Sequence, residues 1–190
     1  MIDRQRARAI LAKHVGGETL LRHSETVEAA MRHLAARYGG DPDEWGAVGL
    51  LHDIDFERYP REHCAHVREL LGGEGLPESW LRAIESHGYG IVNQVKPETD
   101  MEKALYAVDE LTGLVAATAV MRPSRSVLDL EPKSVMKKWK TSAFAAGCDR
   151  NVIARGAEML GMEVGELVAE TIAGMRTAAD ALGLAGPPSA

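Results

Sequence analysis

At 190 residues, 45% of them hydrophobic and 26% charged, the chain is long enough for one domain with a sizeable core and too short for two comfortable ones. A net charge of −6 argues against a general binder of nucleic acid polymers, which would be basic. The two cysteines, Cys64 and Cys148, stand far apart, so no zinc-finger spacing exists and a reduced, cytoplasmic setting is expected. The first residues carry no apolar leader core, and no apolar run reaches bilayer length. No membrane partner is expected.

Apolar spacing predicts helices nearly throughout. The first covers about residues 2–14. The second, about 18–38, places Leu20, Leu21, Val27, Ala30, Met31, Leu34 and Ala35 on one stripe. Gly39 and Gly40 stop it, and Asp41-Pro42 is a good cap and first residue for a third helix carrying Trp45, Val48, Leu50 and Leu51. Residues 54–61, with Pro60, read as a loop. Further helices are expected at about 61–72, 77–87, 99–121, 132–140, 149–160 and 163–182, and residues 183–190 as a disordered tail. Neither strand alternation nor an internal repeat is present. The expectation is therefore an all-α single domain over 1–182, with the last helices serving as core or as cover for a possible homodimer.

Charge is uneven along this plan. Residues 121–150 carry Arg122, Arg125, Lys133, Lys137, Lys138, Lys140 and Arg150 against Asp129, Glu131 and Asp149. Such a local excess in an acidic chain suits either a solvated helix face or a site for a small anion.

The residues that suggest chemistry lie in five segments. His52-Asp53 follows the third apolar run, His23 sits beside the stripe of the second helix, and His63 and His87 fall between. Asp109 stands among Tyr106, Ala107, Val108 and Leu111, where a carboxylate would be half-buried and costly unless paired or bound to a cation. Imidazole and carboxylate are common ligands of divalent metals, and rigid helices can hold them at fixed distances. Any one of these histidines alone would most often be a surface residue.

The order His23, His52-Asp53, Asp109, with the phrase Leu50-Leu51-His52-Asp53-Ile54-Asp55, resembles the HD-domain metal-dependent phosphohydrolase superfamily. The resemblance covers about residues 18–121, leaving 122–182 as a helical extension, and it implies an all-α HD-domain bundle. It also implies that His23, His52, Asp53 and Asp109 hold one divalent cation. His63 and His87 would complete a second site, with Asp53 as the bridge. His66, three residues on, competes with His63 for that place. His14 and His33 fit no ligand position and are expected at the surface.

Phe56 departs from the pattern, since some relatives carry a catalytic Lys or Glu there. Asp55 and Glu57 are the nearest substitutes and, with Asp53, the candidate catalytic groups. Arg122, Arg125, Lys133 and Lys137 are the candidate contacts to substrate. The implied activity is hydrolysis of a small phosphate ester, most simply a nucleotide, by metal-activated hydroxide. Mn, Fe, Co, Mg and Ni are not distinguished by such ligands. Two alternatives accompany this expectation: a di-iron HD-domain oxygenase and a non-catalytic regulatory HD module. Cys148 has no adjacent base and is expected to be inert.

Overall fold

Helix starts follow the capping residues. Asp3 opens α1 (Arg4–Leu11) by accepting the Arg6 amide, and Asp41 opens α3 (Pro42–Leu51) by accepting that of Asp43. The longest helix, α6 (Asp100–Val120), begins with a reciprocal box in which Thr99 and Glu102 each accept the other's backbone amide. A box of this kind stabilises a helix start by about 1 kcal/mol. The other helices are α2 (Glu18–Arg37), α4 (Val67–Leu71), α5 (Glu78–Ser86), α7 (Pro132–Trp139), α8 (Arg150–Met159) and α9 (Val164–Arg176). The computed structural model describes residues 3–187, and among these there is no strand.

The long helices α2 and α6 form the centre. α2 packs against α3, α6 and α9, and α6 also receives α5, α7 and α8. The α2–α3 contact is close because Gly49 has no side chain. A Cβ there would lie 3.0 Å from Met31 Cγ and 3.1 Å from the Val27 carbonyl oxygen. This close crossing ends at Leu50, Leu51 and Ile54, all fully buried, so the turn carrying His52 and Asp53 is anchored from below. Each such side chain contributes about 1.5–3 kcal/mol by leaving water. One cluster of buried side chains extends from Ala7 in α1 to Leu184. No helix among the described residues is long and apolar enough to cross a membrane.

Two expectations change. The helix expected at 61–72 is reduced to Val67–Leu71, with turns before it. Cys64 takes a left-handed φ of 65°, and the Asp55 carboxylate accepts the His66 amide, so local side-chain bonding displaces the first helical turns. The expected disordered tail is also corrected for residues 183–187. Leu184 is buried and its carbonyl accepts the Val127 amide at 2.8 Å, while Ala185 bridges to Ser126. Residues 188–190 lie outside the described part of the chain.

Candidate metal centre

Four helices and one turn bring six donors together. His23 comes from the first turns of α2, His52 and Asp53 from the end of α3, His63 from the following turns, His87 from the end of α5, and Asp109 from the middle of α6. His23 Nε2 lies 2.9 Å from Asp109 Oδ1 and 3.2 Å from His52 Nε2. His52 Nε2 is 3.3 Å from both Asp109 Oδ1 and Asp53 Oδ2. On the other side, Asp53 Oδ1 is 3.2 Å from His63 Nε2 and 3.7 Å from His87 Nε2. The two oxygens of Asp53 therefore face two different groups of imidazoles.

The outward ring nitrogens decide what the inner ones can do. His52 Nδ1 donates to the Gly49 carbonyl at 2.8 Å, and His87 Nδ1 donates to that of Ile84 at 2.5 Å. His63 Nδ1 is 2.7 Å from Asp55 Oδ1 and donates to it. Each neutral ring then presents a bare lone pair at Nε2. Yet His63 Nε2 and His87 Nε2 lie only 2.9 Å apart. Two lone pairs do not rest at that distance without a cation or a proton between them. Without a metal, protons take that role. Burial opposes charge on His52, but Asp53 and Asp109 outweigh it and raise its pKa to about 10. Burial also opposes charge on His63, and the Asp55 hydrogen bond outweighs it, raising its pKa to about 9. Burial would raise both aspartates, but the imidazoles, His52 foremost at Asp53 and His23 foremost at Asp109, hold them below the ordinary carboxylate range. The donor set therefore fits divalent metal: neutral imidazoles oriented from behind, anionic carboxylates between them.

The structure places several of the expected site residues away from the cavity. Asp55 is fully buried, is bonded to His63 Nδ1 and to the His66 amide, and does not line the cavity. Glu57 faces the cavity, but its carboxylate accepts the amides of Gly16 and Gly17 at 3.1 and 2.9 Å, latching the start of α2. His66 points to Glu62 and Glu69 and stacks on Tyr59, away from the cluster that His63 joins. His33 pairs with Glu170 at 2.7 Å and His14 is half-buried. Arg122, Arg125, Lys133 and Lys137 do not line the cavity above the six donors. Arg122 pairs with Asp129, Arg125 is exposed at a left-handed turn, and the two lysines are exposed on α7, which packs against α9 and α6. Val120, where α6 ends, is already about 16 Å along the axis from Asp109 at 1.5 Å per residue.

Two side chains not assigned a role from sequence face this centre. Glu110 lines the cavity; burial, reinforced by the Asp109 charge, raises its pKa to about 7. Its place directly after Asp109 was the available signal. Cys64 Sγ lies 3.9 and 3.7 Å from Nδ1 and Nε2 of His87, within a possible His63–Cys64–His87 donor group. Near-equal distances to both nitrogens set the sulfur beside the ring and off the Nε2 lone-pair axis. It packs on His87 without sharing its ligand. Burial holds the Cys148 thiol up to about 11, in keeping with an inert role.

The sequence matches the HD domain over residues 20–114, a stretch that contains all six donors. The chain belongs to the HD-domain family. Neither a curated protein nor a solved structure gives a significant match. HD domains form a superfamily of metal-dependent hydrolases, and the His/Asp cluster of this HD domain has the donors to bind a metal.

Proposed function

We propose that the protein is a metal-dependent phosphohydrolase that cleaves the phosphate ester of a small molecule, with two divalent cations held at the shared Asp53. The observation that carries this reading is the 2.9 Å approach of His63 and His87 Nε2, each ring fixed from behind, opposite a second group on the other Asp53 oxygen. His23, His52, Asp53 and Asp109 would hold one cation, and Asp53, His63 and His87 the other. Bound there, the pair would supply an activated water and neutralise the phosphoryl oxygens.

The protein's own groups do the rest. Asp55 keeps the proton of His63 at Nδ1, so that Nε2 stays free. The Gly49 and Ile84 carbonyls do the same for His52 and His87. Phe56 meets the ring of His63 edge to face, with centroids 5.2 Å apart. Among the described residues no arginine or lysine lines the cavity, so charge compensation falls on the cations alone.

Protein loaded with Mn²⁺ or Co²⁺ should release phosphate from p-nitrophenyl phosphate or from a panel of nucleotides, and His52→Ala or Asp53→Ala should abolish it. Inactivity across substrates and metals would overturn the proposal. Two equivalents of iron with a mixed-valent EPR signal and no phosphate release would replace hydrolysis by oxygenation.

A further inference from the structure

The cavity over the donors encloses about 830 Å³, the size of a small-molecule site. Its ionisable side chains outside the donor set are Glu18, Glu57 and Glu110, and none is basic. A second cavity of about 680 Å³ adjoins it through His23 and Gly113. The only arginine or lysine there, among the described residues, is Arg22, already paired with Glu18 at 2.6 Å. A substrate carrying several phosphates would find no free basic side chain among these lining residues beyond the reach of the cations.

The rest of the wall is apolar. Six large hydrophobic side chains are markedly exposed among the described residues, and three of them, Phe56, Ile91 and Val92, line this one cavity. Pro60 and Leu20 add to the same wall. Ile91 and Val92 are not on a loose loop. The Gly88 carbonyl accepts the amides of Ile91, Val92 and Asn93, and the Asn93 side chain donates to the Glu85 carbonyl at 2.7 Å. A Cβ on Gly88 would lie 2.6 Å from Val92 Cγ2 and 2.8 Å from Cys64 Sγ and would displace the side chains packed there. The turn thus holds two apolar residues at the mouth, where exposure is unfavourable unless a ligand covers them.

We infer that the substrate is a phosphate monoester with an apolar, uncharged body, and that nucleoside triphosphates and other polyphosphates are poor ligands. This rests on the phosphohydrolase reading above. The single phosphoryl group sits over the cations, and the body covers Phe56, Ile91 and Val92.

Binding and turnover are measured separately on Mn²⁺-loaded protein. Calorimetry compares phenylphosphonate, methylphosphonate and a methylene analogue of a nucleoside triphosphate, none of which can be hydrolysed at the bond in question. Phenylphosphonate should bind at least about 10-fold tighter than either competitor, the scale set by burying one ring. Ile91→Asp, at an exposed position, should erase the advantage over methylphosphonate, and Phe56→Lys should improve the triphosphate analogue. Equal or tighter binding of the triphosphate analogue, no gain from the phenyl ring, or no binding at all would overturn the inference. Phenyl phosphate and ATP are then tested as substrates. Selective phenylphosphonate binding without cleavage of any ester would remove the hydrolase reading and leave the cavity assignment. Cleavage that favours ATP would do the reverse.

Discussion

Some residues of the centre face both groups of imidazoles, and others only orient a single donor. Asp53 touches both imidazole groups, so Asp53→Ala should reduce metal content at both positions, as read by elemental analysis. The Asp55 carboxylate meets His63 and the backbone amides of the turn behind it, and no other donor of the cluster. Asp55→Asn should therefore weaken one cation by about 10–100-fold and spare the other, which a two-step metal titration would resolve. Equal loss of both would contradict this division. Glu57→Ala removes the acceptor of two backbone amides and should lower stability by about 1 kcal/mol, measured by denaturant unfolding. The donor types were legible in the sequence because imidazoles and carboxylates beside apolar helical runs suit a divalent cation, and their order resembles that of an HD domain. The role of Asp55 was not, because it depends on which way its side chain turns after the chain leaves α3. Cys64 was unreadable for the same reason: its left-handed backbone occurs in the turn where the Asp55 carboxylate accepts the His66 amide.

Among elements, the decisive contact is that between α2 and α3, because it sets the distance from His23 to His52. Gly49→Ala places a methyl group about as near backbone atoms of α2 as packing ever allows, with Glu28 Cα at 3.2 Å and the Val27 carbonyl oxygen at 3.1 Å. Backbone cannot retreat as a flexible side chain can. The substitution should cost about 1–3 kcal/mol and weaken metal binding together with stability, seen as paired falls in Tm and in affinity. A fall in Tm with affinity intact would mean that the helices part without moving the donors. Helix existence and order were readable because apolar spacing and caps such as Asp41-Pro42 and Thr99 are local signals. Where the basic segment after α6 would lie was not. Lys133 and Lys137 share a helix face by spacing, but the packing of α7 on α9 and α6 is decided by residues far away in sequence. The last residues misled for a similar reason, since the bond from the Val127 amide to Leu184 spans distant parts of the chain.

For the molecule as a whole, the centre couples stability to pH in opposite senses with and without metal. His52 and His63 have pKa values raised to about 10 and 9 in the metal-free fold, against an ordinary 6.5. Their contribution is complete below about pH 6.5. Above it the unfolded chain releases protons that the folded chain retains, so stability falls as pH rises toward 9 and 10. Metal needs the neutral rings, so its hold strengthens over the same range. Chelator-treated protein should therefore melt at a lower temperature at about pH 8.5 than at about pH 6.5, while Mn²⁺-loaded protein should not. Matching pH trends in both samples would show that these imidazoles carry neither protons nor metal in the way described. A cation pair bridged by Asp53 would be read out in the metal content of the protein. Protein purified without oxygen and dialysed against Mn²⁺ or Fe²⁺ should retain two equivalents per chain, and Asp53→Ala protein of unchanged helicity should retain at most one. A single equivalent in the parent protein, or two in the Asp53→Ala variant, would contradict it.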